Sequence, residues 1–252
     1  MTKLLTKIFE NNLLKDKYPP SKSKSFRIKP SSLGSPCLRK IYYDSARVEP
    51  DFPFPLSAKK HMKLGDAIHD MLTDVFLDEG VLVKFHKPDG TFYTDNGKPD
   101  YEFRLKSEEL GFKLAKIDGV YIIDGKLFLG EYKSINTNGF GTLARPKDEH
   151  LIQAVCYFHV FNKMLKEGAF SHIKELNGFE KAEGIIFLYV HKNDNEFKEF
   201  LVTDTNSMFI SIVEKIIKIS DFYNKKELPP KTQDWCNSCP FRMKCSKNFN
   251  NI

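Results

Sequence analysis

Two stretches rich in apolar residues, 117–123 and 126–133, follow each other in the middle of the chain. Short apolar runs that are bounded by turn residues predict β-strands. Asp124 and Gly125 lie between the two stretches. Asp-Gly at such a position is typical of a type I′ turn, because that turn requires positive φ at both central residues. The pattern therefore predicts a β-hairpin whose register is set by its turn.

The rest of the chain carries further stretches with helical or strand-like periodicity. The predicted helices span residues 3–15, 58–79, 147–167 and 206–225, and a short helix opens at Pro36. The remaining predicted strands span residues 81–87, 101–106, 183–191 and 197–203. Because strands and helices are interspersed, we predict an α/β fold with a central mixed sheet and helices on both of its faces.

Composition along the chain predicts two parts. Residues 1–30 are predicted to form an N-terminal helix followed by an arm rich in Lys, Ser and Pro. Residues 31–252 are predicted to form one domain. Its C-terminal tail, residues 228–252, carries three cysteines.

The predicted hairpin brings charged residues together on one face. In its register Asp118 lies opposite Glu131, with Cβ atoms roughly 4.5–5.5 Å apart. Lys133 shares the face of Glu131, and Tyr132 points the other way. Two facing carboxylates repel unless a cation lies between them, so the pattern is typical of a metal-dependent phosphodiesterase site. The same alternation would arise on a solvated sheet face, where the carboxylates pair with Lys116 and Lys133.

His69 lies on the predicted helix 58–79. At helical spacing it shares a face with Met62, Leu72 and Phe76, which predicts that its imidazole points inward. An inward histidine is either part of the core or, beside the predicted carboxylates, a metal ligand or a partner of one.

Gln153 and Tyr157 are four residues apart on the predicted helix 147–167, so they share a face. Taken alone, this spacing is also found in an ordinary amphipathic helix.

Charge and apolar runs narrow the class of protein. The 252-residue chain has 39 Lys and Arg against 33 Asp and Glu, a net charge of +6, which is compatible with a polyanionic partner. No apolar run approaches the ~20 residues of a membrane span, so we expect no membrane partner. The N-terminus lacks the apolar region of a signal peptide, and we expect a cytoplasmic protein.

The cysteines have metal-ligand spacing. Cys236 and Cys239 form a Cys-x-x-Cys pair, and Cys245 follows after five further residues. A fourth ligand has to come from elsewhere, and Cys37 is the candidate. In a cytoplasmic protein these cysteines favour an iron–sulfur cluster, with a four-cysteine zinc site or free thiols as the alternatives. Cys156 lies inside a predicted helix and is interpreted as a small buried residue.

Together these motifs resemble the RecB-type branch of the PD-(D/E)xK nuclease superfamily. The likeness is greatest to its iron–sulfur members, the CRISPR-associated nuclease of spacer acquisition and the AddB-type nuclease domain. The matching segments are Leu64–His69, Ile117–Val120, Gly130–Ser134, Gln153–Tyr157 and the four cysteines, which together span most of the chain. The sequence has no Gly-x-x-x-x-Gly-Lys phosphate loop, so it resembles the nuclease part without a helicase.

The resemblance implies a role for each matching residue. His69, Asp118, Glu131 and the backbone carbonyl of Tyr132 are expected to bind Mg²⁺ or Mn²⁺, and Lys133 to orient the attacking water and stabilise developing charge. Gln153 and Tyr157 are expected to position the lysine or the DNA strand, and Cys37, Cys236, Cys239 and Cys245 are expected to hold a 4Fe–4S cluster. The chain departs from the family where Ala115 and Lys116 replace a glycine that often precedes the aspartate.

The resemblance also implies a fold and an activity. The expected fold is restriction-endonuclease-like, with an iron–sulfur staple joining the N- and C-terminal segments. The expected activity is a metal-dependent DNA nuclease, most of all an exonuclease on single-stranded ends (5′→3′ in direction). Its expected partners are DNA with free ends and proteins of a recombination or CRISPR complex, in the host cytoplasm if the protein is viral. The alternative is a non-catalytic nucleic-acid-binding subunit, against which the intact Asp118, Glu131 and Lys133 argue.

Overall fold

The computed structural model describes residues 4–14, 25–95, 97–231, 236–237 and 239–247. The strands are β1 Tyr93–Asp95, β2 Lys98–Asp100, β3 Phe103–Ser107, β4 Phe112–Ile117, β5 Gly119–Ile123, β6 Lys126–Ile135, β7 Gly184–His191 and β8 Phe197–Val202. The central sheet has the order β5-β6-β7-β8. β6 and β7 run parallel and the other neighbours antiparallel, so the sheet is mixed, as predicted.

The helices lie on both faces of this sheet. They are α1 Leu4–Leu14, α2 Leu38–Ser45, α3 Leu56–Asp78, α4 Thr137–Gly141, α5 Asp148–Lys166, α6 Asn206–Asn224 and α7 Arg242–Ser246. On β6, Tyr132 packs near Phe76 of α3, whereas the neighbouring Glu131 contacts Gln153 of α5. Because successive side chains of a strand point to opposite faces, α3 and α5 cover opposite sides of β6. None of the described helices is long and apolar enough to cross a lipid bilayer.

The predicted hairpin is confirmed in its turn and in the register of its paired residues, but β5 begins at Gly119, so Asp118, predicted to pair opposite Glu131, lies in a bend outside the ladder. Asp124 has φ of 50° and Gly125 has φ of 71°, as a type I′ turn requires. Ile123 pairs with Lys126, and the pairing continues in step until Gly119 lies opposite Gly130. The two-residue turn therefore fixes which side chains of β5 and β6 share a face.

The chain before the hairpin forms a second, smaller sheet. β3 pairs with β4, and β4 is followed by a bend at Asp118 before β5 begins. The predicted strand 101–106 is thus found as β3. The predicted strand 81–87 is not a regular strand, because it forms only a single bridge, between Leu82 and Tyr121, with flanking backbone bonds.

Several short elements were not predicted, among them α7 in the tail. β1 and β2 form a small hairpin in a segment rich in Gly and Asp, and α4 lies in the Gly-containing loop after β6. The side chain of Asn136 accepts a hydrogen bond from the Gly139 N–H and so caps α4.

Tyr121 packs against two glycines of the hairpin. A Cβ atom on Gly130 would lie 2.4 Å from the ring of Tyr121, and one on Gly119 would lie 2.3 Å from its hydroxyl. Tyr121 is itself buried. The two glycines therefore make the room in which this ring sits at the sheet surface.

We expect Gly130→Ala to destabilise the protein by about 2–3 kcal/mol, because the added methyl group forces the buried ring to move. Urea unfolding measures the effect, and Gly141→Ala is the matched control because nothing lies within 4 Å of a Cβ at that position. Unchanged stability of Gly130→Ala would contradict this packing.

Candidate metal centre

Asp118 lies at the point where the two sheets separate. Its Oδ2 atom accepts a hydrogen bond from the backbone N–H of Tyr132 on β6, at 2.7 Å. Its Oδ1 atom lies 3.8 Å from Nδ1 of His69 on α3. The bend between β4 and β5 thus turns the Asp118 carboxylate toward α3 while β6 holds it in place.

Glu102 completes a compact group that sequence reasoning missed. Ligand atoms of His69, Glu102 and Asp118 all lie within 4.8 Å of one another. The pairing of Phe103 with Ile117 explains this, because the residue before Phe103 then lies beside the residue after Ile117. Recognising β3 and β4 as partners in the sequence would have revealed Glu102.

A lysine lies behind this group. Lys116 Nζ contacts Glu102 Oε2 at 2.7 Å and Asp100 Oδ2 at 2.8 Å. Burial raises the pKa of Glu102, and the hydrogen bond from Lys116 offsets part of that effect. A carboxylate oxygen of Glu102 still lies within 4.8 Å of the ligand atoms of His69 and Asp118.

Glu131 is the buried carboxylate of the site. It is 1% exposed, so the interpretation of a solvated sheet face is wrong. Lys133 Nζ lies 2.5 Å from Glu131 Oε1, which confirms that these side chains share a face. Gln153 donates from Nε2 to the same oxygen at 3.0 Å and to the Tyr157 hydroxyl at 3.1 Å. The predicted pair on α5 therefore does share a face, and that face meets Glu131.

The site carries an excess of negative charge. Burial, and then the charge of Asp118, raises the pKa of Glu131 to about 8, although Lys133 counteracts this. Burial alone would lower the pKa of Lys133, but the carboxylates of Glu131 and Asp118 outweigh it and raise that pKa. A divalent cation beside Asp118 would relieve the repulsion between the carboxylates.

In the absence of metal we expect the free energy of unfolding to fall as the pH rises from about 5 to about 8. The folded protein holds the Glu131 proton with a pKa of about 8, against about 4.5 ordinarily. The stability that this bound proton contributes is therefore fully present below the pKa of Glu131 in the unfolded chain, about 4.5. It is lost as the pH rises through the pKa of Glu131 in the folded protein, about 8. Urea unfolding in EDTA measures this, with Glu131→Gln as the control that removes the dependence. Equal pH dependence of both proteins would contradict it.

The predicted metal ligands are close together but not equivalent. His69 and Asp118 belong to the compact group with Glu102. Glu131 contacts Lys133 and Gln153 instead, and Tyr132 contributes a backbone N–H to Asp118. The Tyr132 side chain packs edge-on against His69, with ring centroids 5.5 Å apart. The roles of Glu131 and of the Tyr132 carbonyl as metal ligands remain predictions.

His69 itself faces inward only partly. Its side chain is 31% exposed, beside the buried Ile68 and Leu72. Met62, predicted on the same inward face, is 58% exposed. The residues that α3 buries, Ile68 and Leu72, both lie in the second half of the helix, whereas Met62 lies in its first half.

The four cysteines predicted as ligands meet in a single place. Cys37 is the N-cap residue of α2, and Cys245 lies in α7. Together with Cys236 and Cys239 they line one cavity of about 670 Å³. Cys156 is 0% exposed inside α5, as predicted, and burial raises its pKa to about 12.

Contacts with α2 and the following segment hold the tail in place. Arg39 donates from Nε to the Pro229 carbonyl at 2.7 Å and from Nη1 to Cys245 Sγ at 3.8 Å. Asp51 accepts hydrogen bonds from the first N–H groups of α7, including that of Met243. These contacts place the third cysteine of the tail against α2, next to Cys37.

The lining of the cavity indicates which groups its residues could hold. Besides the four cysteines, basic side chains line it, among them Arg39 and Lys40. Four thiolates suit an iron–sulfur cluster or a zinc ion.

Comparisons with known proteins find matches among solved structures but no family. No protein-family model and no curated protein matches the sequence. Twenty chains of solved structures match, and one is described as the crystal structure of SSO0001. It is 17% identical to this chain, with a TM-score of 0.46, and the match covers 96% of this chain and 94% of that one.

Proposed function

We propose that this protein is a metal-dependent nuclease that hydrolyses phosphodiester bonds in DNA. One observation carries the proposal: His69, Glu102 and Asp118 offer ligand atoms within 4.8 Å of one another, beside the buried pair Glu131 and Lys133. A histidine and two carboxylates suit a hard divalent cation such as Mg²⁺ or Mn²⁺. A lysine beside such a cation supplies positive charge for a phosphate.

The residues of the site have separate roles in the proposed reaction. His69, Asp118 and Glu102 would hold the cation, with Glu131 beside them. When bound, the cation polarises the scissile phosphate and lowers the pKa of its bound water. Lys133 stabilises the charge that develops on the phosphate oxygens and orients the attacking water. Gln153 fixes the Glu131 carboxylate by its hydrogen bond, and Tyr157 in turn fixes Gln153.

The order of the motifs supports membership of the RecB-type branch of the PD-(D/E)xK nucleases. In that assignment the substrate is DNA with single-stranded or free ends, and the reaction is that of an exonuclease. A cytoplasmic location and protein partners in a recombination or CRISPR complex belong to the same assignment.

The four-cysteine cavity supports a 4Fe–4S cluster as part of this proposal. The cavity joins Cys37, near the N-terminal end, to Cys236, Cys239 and Cys245 in the tail. The cluster is proposed as a staple between the two ends of the chain.

Cleavage of end-labelled DNA tests the nuclease proposal. Anaerobically purified protein is incubated with single- and double-stranded DNA, labelled at the 5′ or 3′ end, in Mg²⁺, Mn²⁺ or EDTA. Metal-dependent release of label is expected, and the label released first gives the polarity. Tight DNA binding without cleavage of any substrate would instead favour the non-catalytic subunit.

A further inference from the structure

Two phenylalanines project into solvent from a segment that is firmly anchored. Phe52 and Phe54 are 68% and 62% exposed, the two most exposed aromatic side chains among the described residues. They alternate with prolines in the segment 50–55, and proline fixes φ of the backbone. Asp51, between them and α2, donates its N–H to the Pro240 carbonyl at 2.7 Å and caps α7 with its carboxylate. The rings are therefore held out by a rigid support.

The chain that follows these rings is basic. Residues 52–63 contain three lysines, one histidine and no acidic residue. The side chains of Lys60 and Lys63 are 43% and 52% exposed on the first turns of α3. Lys60 contacts Glu10 of α1 and Lys63 contacts Asp66, both at the protein surface. Exposed rings next to such lysines match a ligand that has both flat apolar faces and negative charge.

Single-stranded nucleic acid has both properties. Its unpaired bases stack on aromatic side chains, and its phosphates attract lysines. A base pair inside a duplex offers no free face for stacking. The chemistry of the patch thus selects a single strand.

The patch also lies on the helix that leads to the metal centre. α3 begins at Leu56, two residues after Phe54, and carries His69. Lys60 and His69 are nine residues apart on that helix, so they are separated by roughly 14 Å along its axis and by about half a turn around it. A strand bound on the rings would extend along α3 and half a turn around it to reach the candidate metal centre.

We infer that Phe52 and Phe54, with Lys59, Lys60 and Lys63, form a platform that binds single-stranded nucleic acid and directs it along α3 toward His69. This inference rests on the proposed function, since it names residues that select the substrate of the same site. The rings act by binding the strand, at a distance from the reacting phosphate.

Fluorescence anisotropy with labelled dT20 in EDTA tests the platform without requiring cleavage. Phe52→Ala and Phe54→Ala are each expected to weaken binding about tenfold, because stacking of a base on an aromatic ring is lost. Phe52→Trp is expected to retain the affinity, and so is Phe197→Ala, which removes a ring that is 52% exposed on β8. Replacing Lys60 and Lys63 together with Ala is expected to reduce the salt slope of binding by roughly 1–1.5.

The outcomes separate the platform from its rivals. The melting temperature of the Phe variants should match that of the wild type, because both rings are exposed. Undiminished dT20 binding by the Phe52→Ala/Phe54→Ala double variant would overturn the inference. The inference would also be overturned if ultracentrifugation showed that the wild type is a dimer and that the double variant is a monomer with the same DNA affinity. In that case the patch would contact a second copy of the chain.

Two further measurements identify the type of nucleic acid and separate the platform from the nuclease proposal. The same series with rU20 shows whether the platform accepts RNA as well as DNA, since a loss on both extends it to RNA and a loss on dT20 alone restricts it to DNA. A wild type that binds dT20 through these rings but does not cleave in Mn²⁺ would uphold the platform and refute the nuclease.

Discussion

Lys133→Ala is expected to lower the rate of DNA cleavage by about 10²–10³-fold while Mn²⁺ still binds. Lys133 is held 2.5 Å from Glu131 beside the candidate metal centre, so its charge can act on a phosphate bound there. Removing a charge that stabilises the transition state in a buried site has effects of this size. Single-turnover cleavage and Mn²⁺ titration of the same samples measure the two properties separately.

Lys126→Ala is the matched control for this prediction. Lys126 is exposed at the other end of β6, in the turn of the hairpin, so its loss should leave cleavage unchanged. Equal rates for Lys133→Ala and the wild type would show that the lysine has no part in the reaction. Loss of Mn²⁺ binding together with cleavage would show that it serves the metal centre and not the phosphate.

Cys239→Ala is expected to abolish the visible absorbance of an iron–sulfur cluster and to lower the melting temperature by roughly 10 °C. The cysteine lines the cavity in which the tail meets Cys37. A staple between distant parts of a chain contributes a few kcal/mol, and about 3–4 kcal/mol corresponds to this shift in a protein of this size. Absorbance spectra and thermal unfolding under anaerobic conditions provide the measurement.

Cys156→Ala distinguishes this effect from the simple loss of a thiol. Cys156 is buried inside α5, away from the cavity-lining cysteines, so the variant should keep its colour. A colourless wild type with one equivalent of zinc would identify the site as a zinc staple. If the wild type is coloured, the Cys239→Ala variant is colourless and the two have the same melting temperature, the cluster has no structural role.

Local chemistry explains which parts of the site the sequence predicts. Asp124 and Gly125 determine a turn by their own backbone preferences, so the register of β5 and β6 follows without knowledge of the remaining fold. The shared face of Glu131 and Lys133 follows from that register. The spacing of Cys236, Cys239 and Cys245 is likewise a local signal.

The missing parts depend on pairing between distant segments. Glu102 joins the site only because β3 pairs with β4, and the alternation within each strand does not identify its partner. The exposure of Met62 depends on which part of α3 is covered by the rest of the fold, which helical spacing does not encode. Gly139 and Gly141 disfavour a helix by their low helix propensity, so the sequence around them does not predict α4. The capping side chain of Asn136 is the signal that indicates it.

The proposed nuclease activity requires a divalent cation held at Asp118, and the metal dependence of DNA cleavage tests this requirement most directly. The rate of DNA cleavage is followed as a function of Mn²⁺ concentration for the wild type, Asp118→Asn and Asp124→Asn. Both variants exchange one carboxylate for an amide on the same hairpin, but Asp124 lies in the exposed turn, where Asn-Gly is equally suitable. We predict metal-dependent cleavage by the wild type and Asp124→Asn and none by Asp118→Asn. Cleavage by Asp118→Asn with the Mn²⁺ dependence of the wild type, or no cleavage by the wild type at any concentration, would contradict the account.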